Sequence, residues 1–128
     1  MGINIFYAKE NRVLKKNPDT ETEIELIVFN DRIKQVLPTD HGLIVILGGK
    51  GSTKPGNIFL INASSGTIVW QSEPCPGLSI DGKDKKEIYA SARVEDGKLI
   101  ARAYDGLEHE VDWQTGKHLK VTGLRRFG

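Results

Sequence analysis

The stretch "NIFLINASSGTIVWQSE" (57–73) decides the fold of this chain, because an extended apolar run is broken by a Ser-Ser-Gly turn and then resumes into a tryptophan. The other apolar segments are also short, rich in β-branched residues and bounded by turn sequences such as "DHG", "EDG", "YDG" and "QTG". Such turns connect antiparallel strands, and helical spacing of apolar residues is hard to find. We therefore predict an all-β fold built as an antiparallel meander.

The predicted strands are all short. They cover residues 3–9, 12–16, 23–30, 32–38, 42–48, 57–63, 67–71, 87–94, 98–104, 107–113 and 117–121. The segment "SEPCPGLSIDGKDKKE" (72–87) combines Pro, Gly and charge, and we predict a surface loop there. Neither half of the chain alone would bury a comfortable core, so residues 1–128 are predicted to form one domain.

The second half of the chain repeats the first. Placing "VDWQTGKH" (111–118) over "INASSGTI" (61–68) puts Gly116 on Gly66, an offset of 116 − 66 = 50 residues. Four antiparallel strands that recur every 40–50 residues are typical of a propeller blade. We predict two blade-like four-stranded sheets, at about 31–72 and 87–122, plus an N-terminal hairpin at 3–16. The segment "NIFYAKENRVL" (4–14) suggests that this hairpin is a weaker third copy.

These segments resemble quinoprotein-like and WD-type β-propeller repeats, which commonly carry "LDxxTGxxxW" across their third and fourth strands. "INASSGTIVW" keeps Gly66 and Trp70, while "VDWQTGKHL" keeps Asp112, Thr115 and Gly116 and puts Leu119 near the tryptophan position. The resemblance would also imply a quinone cofactor, but no matching ligand residues can be carried over, so no cofactor is predicted. An unrelated β-meander or sandwich is the alternative fold.

The chain has too few predicted strands for a closed propeller. Closed rings use four or more blades, whereas about two and a half are predicted here. The sheets must therefore either pair face to face as a small sandwich or complete a ring by self-association. An incomplete sheet leaves unpaired N–H and C=O groups that a neighbouring molecule can satisfy, which favours association.

Charge and composition exclude several function classes. Lys and Arg number 18 and Asp and Glu 17, so the net charge is +1 and nucleic acid or an anionic membrane is not a predicted partner. No apolar run is long enough to span a bilayer, and the N-terminal "MGINIFYAKENR" lacks the features of a secretory signal. The chain has one cysteine and cannot form an intrachain disulfide. We predict a cytoplasmic location.

Candidate site residues lie mainly between positions 104 and 118. His109 and His118 fall on adjacent predicted strands, with Glu110 nearby, but their spacing is a weak metal signal and we predict no metal. Alternation along the strand puts Glu108, Glu110 and Asp112 on one face. Two carboxylates in a cleft could act as a hydrolase pair, whereas exposed strand residues with cross-strand ion pairs, for example to Lys117, explain both the acids and the histidines.

Three further residues are candidate contacts for a partner. Trp113 lies at the start of the last turn, where its ring either caps the neighbouring sheet or anchors a partner. Lys50 and Lys54 lie in "GGKGSTKPG" (48–56), which lacks the spacing of a phosphate-binding loop and is predicted to be a flexible hairpin loop that presents positive charge.

Two functions from different classes follow. The first is a non-catalytic protein-interaction module, regulatory or self-associating, because no nucleophile–base pair stands out. The second is a small-ligand binder or hydrolase that uses the acidic and histidine face around 104–118. A cleft containing His109, His118 and Glu110 would favour the second function, and an apolar patch or an open sheet edge would favour the first.

Overall fold

A computed structural model describes residues 4–48, 56–76, 86–104 and 106–124, and within them every regular element is a β-strand. Within each sheet, strands that follow one another in the chain pair antiparallel, so the sheets are meanders. The predicted all-β antiparallel fold is confirmed.

The N-terminal hairpin is part of a larger sheet. The first sheet contains β1 (Ile5–Lys9), β2 (Arg12–Asn17) and β3 (Thr22–Val28), in that order. The sequence predicted a separate hairpin at 3–16, but β3 pairs along the whole of β2, from Arg12 opposite Val28 to Asn17 opposite Thr22. The hairpin is thus two strands of a three-stranded sheet.

Two four-stranded sheets follow, as predicted. The middle sheet contains β4 (Ile33–Thr39), β5 (Gly42–Leu47), β6 (Ile58–Ile61) and β7 (Ile68–Gln71). The two-residue strands β8 (Cys75–Pro76) and β9 (Lys86–Glu87) pair with each other. The last sheet contains β10 (Tyr89–Glu95), β11 (Lys98–Ala103), β12 (Leu107–Val111) and β13 (His118–Leu124).

The middle sheet is buried on both faces. One core cluster joins it to the first sheet and includes Val13, Val45 and Phe59, and another joins it to the last sheet and includes Ile44 and Leu99. All four residues of β6 are buried, which explains why "IFLI" is a continuous apolar run rather than an alternating one. The three sheets are therefore stacked in chain order, with the middle sheet between the other two.

The two repeated Gly turns each contact the preceding sheet. In the β6–β7 turn the Gly66 N–H donates to Asn62 O at 2.8 Å, and in the β12–β13 turn the Gly116 N–H donates to Asp112 O at 2.9 Å. Both glycines have positive φ, 76° and 75°. A Cβ on Gly66 would come within 2.9 Å of Leu26 C in β3, and a Cβ on Gly116 within 2.8 Å of Trp70 Cδ2 in β7. Each glycine thus lets a turn rest on the last strand of the preceding sheet.

A third copy of this turn is present, but not where the sequence comparison placed it. The β2–β3 turn runs from Asn17, whose Oδ1 accepts the Asp19 N–H at 2.9 Å, to Glu21, which has a φ of 56°. "NPDTET" (17–22) therefore matches "NASSGT" (62–67) and "DWQTGK" (112–117). The alignment of 4–14 with 57–69 was one strand too early, and β2–β3, rather than β1–β2, is the equivalent of β6–β7.

Candidate functional site

The predicted acidic and histidine residues lie on opposite faces of the last sheet. On β12, Glu108 and Glu110 face away from the middle sheet, whereas His109 and Val111 face toward it. Asp112 lies beyond the end of β12, and its carboxylate accepts bonds from Gln114 N and Thr115 Oγ1, both at 3.0 Å. The three carboxylates therefore do not form one row, and Glu110 is not brought together with the histidines.

The outward-facing carboxylates are held in ion pairs. Glu108 is 6% exposed and forms a two-bond pair with Arg93, in which Arg93 Nη2 donates to Glu108 Oε1 at 3.2 Å. These bonds, with a further one to Glu95, raise the pKa of Arg93. Glu110 Oε1 lies 3.9 Å from Lys120 Nζ, so its cross-strand partner is Lys120 rather than the predicted Lys117. This face is an open groove of alternating charge with Ile100 among its lining residues.

The two histidines are in contact between the sheets. His109 Nδ1 lies 3.0 Å from His118 Nε2, and the His109 and Tyr89 rings are nearly perpendicular, with centroids 5.8 Å apart. The expectation that both are exposed strand residues was wrong, because His109 is 0% exposed. Its repeat equivalents are Leu14 and Phe59, so it occupies a core position. Burial lowers the pKa of His118, and the nearby charge of Glu73 opposes this effect.

Trp113 is placed as a cap between the middle and last sheets. It packs against the core cluster that these two sheets share. Its Nε1 donates to Gly97 O at 2.9 Å, its carbonyl accepts the Trp70 Nε1–H at 2.6 Å, and its ring stacks on His41 with centroids 4.1 Å apart. Of the two sequence alternatives, this arrangement matches the cap.

The predicted positions Lys50 and Lys54 lie outside the described residues. Within the part of the chain that the structure describes, no group of three or more His, Cys, Asp or Glu residues is placed to hold a metal ion.

A set of exposed aliphatic residues was missed by the sequence reasoning. Ile24, Val69 and Leu119 are 49%, 55% and 52% exposed, and each occupies the same repeat position, three residues after Glu21, Gly66 or Gly116. We call these three residues the outer stripe, since each lies on the outermost strand of its sheet. Val69 and Leu119 are the extra residues of β-bulges, whereas Ile24 is paired with Lys15 of β2. Aligning all three copies of the turn would have revealed the stripe.

Comparison with known proteins assigns the chain to a family. The model of DUF7957, described as a domain of unknown function, matches residues 16–122. The chain belongs to the DUF7957 family. The match begins at the end of β2 and extends into β13, so it includes the three described copies of the repeated turn in this DUF7957 domain.

A solved structure shares the fold of the DUF7957 chain. The crystal structure of BamB from Moraxella catarrhalis matches 94% of this chain with a TM-score of 0.65 and 20% sequence identity. The match covers 34% of that chain, so the DUF7957 chain spans about a third of its length. At this identity the likeness shows the fold, and it supports the propeller-like arrangement that the repeat predicts. No curated protein matches the chain. None of its described elements is a helix able to cross a membrane.

Proposed function

We propose that this DUF7957 chain is a non-catalytic protein-interaction module whose contact surface includes the outer stripe. The observation that carries the proposal is a half-exposed aliphatic residue three positions after the turn residue on each of β3, β7 and β13. Single exposed aliphatic residues are ordinary on protein surfaces, but their recurrence on three stacked sheets is a pattern that a partner can read.

Two further residues widen the apolar surface beside Val69 and Leu119. Ile68 on β7 and Val121 on β13 are also about half exposed. In the sequence, Glu23 and Glu25 flank Ile24, and Lys120 follows Leu119; Glu25 is paired with Arg12 and Lys120 with Glu110. A partner that contacts the three strands would therefore meet aliphatic side chains beside charged residues of both signs. Apolar contacts with a polar rim are the usual anatomy of a protein interface.

The placement of the predicted site residues gives less support to a small-ligand binder or hydrolase. That function needs His109, His118 and Glu110 in one cleft, whereas the histidines lie between sheets and Glu110 lies on the outward face. The quinoprotein or WD type of the repeat, the self-association and the cytoplasmic location stay predictions.

A comparison of captured proteins tests the proposal. The stripe variant carries Ile24→Thr, Val69→Thr and Leu119→Thr, which keep strand-forming residues at all three positions. The matched control carries Thr22→Ser, Thr67→Ser and Lys117→Ser, at the exposed repeat position two residues earlier. Tagged versions are expressed in the natural host and captured proteins are quantified by mass spectrometry. We expect a partner shared by wild type and control to fall at least about tenfold with the stripe variant, as a loss of about 1.4 kcal/mol of binding energy predicts. An unchanged set of partners contradicts the proposal.

A further inference from the structure

Within the described part of the chain, the first sheet has one strand fewer than the middle and last sheets. The middle and last sheets begin with the seven-residue strands β4 and β10, which lie at the edge of each sheet. Counting back from the repeated turns makes β1 the equivalent of β5 and β11, the second strands of those sheets. Within the described residues, the first sheet therefore has no counterpart of β4 or β10. We call the free side of β1 the open edge.

The exposure of Ala8 on β1 is consistent with an edge that no described strand covers. Ala8 pairs with Val13 and, like Val13, faces the middle sheet, yet Ala8 is exposed. Its repeat equivalent in β5 is Ile46, which is fully buried and lies beside Gln35 of β4. The Ala8 position is therefore exposed at the open edge, whereas the equivalent position in the middle sheet, Ile46, is covered by β4.

The backbone of β1 also points polar groups to the open edge. In β5 the Leu47 N–H donates toward β6, to Asn57 O at 2.9 Å. Because backbone groups alternate in direction along an antiparallel strand, those of Ile44 and Ile46 point toward β4. The equivalent groups, those of Phe6 and Ala8, therefore point away from β2 and can receive an added strand.

We propose that the open edge of β1 binds an extended segment of a partner protein, which completes the first sheet by strand addition. The segment needs about seven residues, the length of β4 and β10. Each described seven-residue strand lies at a sheet edge, so a second copy could pair there without unfolding, but β4 alone among these strands carries a Gln or Asn. Gln35 of β4 is already bonded to Ala92, so a second copy offers no described strand with a free equivalent of Gln35, whereas a segment from another protein can carry one. This site is separate from the outer stripe, so either proposal can fail alone.

The contact between the middle and last sheets defines the side chains that the segment requires. Gln35 of β4 donates to Ala92 O at 2.9 Å and accepts the Ala92 N–H at 3.0 Å, which ties the first strands of two successive sheets together. The equivalent of Ala92 in the middle sheet is Val36, because Val36 pairs with Val45 as Ala92 pairs with Ala101. A partner segment with Gln or Asn opposite Ala8 can form the same two bonds with Val36.

A second position of the segment should be apolar. Leu37 lies two residues after Gln35 and packs against the core cluster that the middle and last sheets share. The equivalent residue of the segment lies opposite Phe6 and faces the middle sheet. The predicted recognition pattern is therefore Gln or Asn, any residue, then an aliphatic residue, within an extended segment.

The test uses a labelled synthetic peptide with the β4 sequence "IKQVLPT" (33–39) and the full chain. We expect saturable binding by fluorescence anisotropy, and slower hydrogen exchange at the amides of Phe6 and Ala8 when the peptide is present. A peptide with alanine in place of the glutamine should bind about tenfold more weakly, because it loses two neutral hydrogen bonds.

Two substitutions at Ala8 test whether the peptide binds at the open edge. Ala8→Pro removes the backbone N–H at the open edge and should abolish peptide binding. Ala8→Thr keeps this N–H, so that variant should bind the peptide with the affinity of the wild type. If Ala8→Pro fails to fold, the peptide series and the exchange data on the wild-type chain decide the matter.

Four results would overturn the proposal. They are no saturable binding up to about 1 mM peptide, equal affinity for the alanine-substituted peptide, unchanged binding by folded Ala8→Pro, and a dimer of the chain that competes with the peptide. The last result would mean that a second copy fills the open edge.

Discussion

Replacing Gly116 by alanine should destabilise the chain far more than the same change at Gly97. The two glycines have almost the same backbone conformation, with φ of 75° and 76°. A Cβ on Gly116 would overlap the Trp70 ring, at 2.8 Å from Cδ2, whereas a Cβ on Gly97 would have no atom within 4 Å. Both substitutions therefore carry the cost of a left-handed conformation, roughly 1–2 kcal/mol, and only Gly116→Ala adds the cost of overpacking, about 1–3 kcal/mol.

Urea unfolding followed by tryptophan fluorescence measures both variants. Trp70 and Trp113 are the two tryptophans of the chain and both lie near the contact in question. We expect the unfolding free energy of Gly116→Ala to be lower than that of Gly97→Ala by about 2 kcal/mol, with similar m-values. Equal losses for the two variants would refute the role of Gly116 in bringing the last sheet onto the middle sheet.

Two further predictions concern polar groups between the sheets. Asn57 is 4% exposed and bonds Leu47 O, Tyr89 O and Tyr89 N–H, so Asn57→Ala should lower the unfolding free energy by about 2–4 kcal/mol, measured by urea unfolding. The control Asn62→Ala affects an exposed turn and should cost about 1 kcal/mol or less; an equal loss would contradict the bridging role of Asn57. Because burial lowers the pKa of His118 below the ordinary 6.5, the unfolded chain binds this proton more readily, and the unfolding free energy should fall as the pH drops below about 6.5. His118→Gln should reduce this slope between about pH 7 and 5, and an unchanged slope would assign the pH dependence to other groups.

Local sequence patterns identified most strands but not the way in which the sheets meet. The turns at Gly66 and Gly116 were found because glycine at positive φ after Asn or Asp leaves a visible motif. The first copy was missed because Glu21 takes this conformation without a glycine. The prediction then treated β1–β2 as a separate hairpin and left out its pairing with β3.

The candidate site was predicted less well than the fold, because local patterns do not show how the sheets meet. Alternation along β12 correctly put Glu108 and Glu110 on one face, but it does not show which face meets another sheet. His109 looks like an exposed polar residue until it is aligned with Leu14 and Phe59, both core positions. The contact of His109 with His118 and the pair of Glu108 with Arg93 depend on cross-strand register, which composition does not specify.

The burial of the middle sheet on both faces has a consequence for how the protein opens. Each of the two core clusters contains residues of this sheet, so losing it would expose both clusters at once. The first and last sheets can each detach while the other junction persists, as terminal units do in a linear array. Slowly exchanging amides should therefore concentrate in β5 and β6, and sub-global openings should begin at the two ends of the stack.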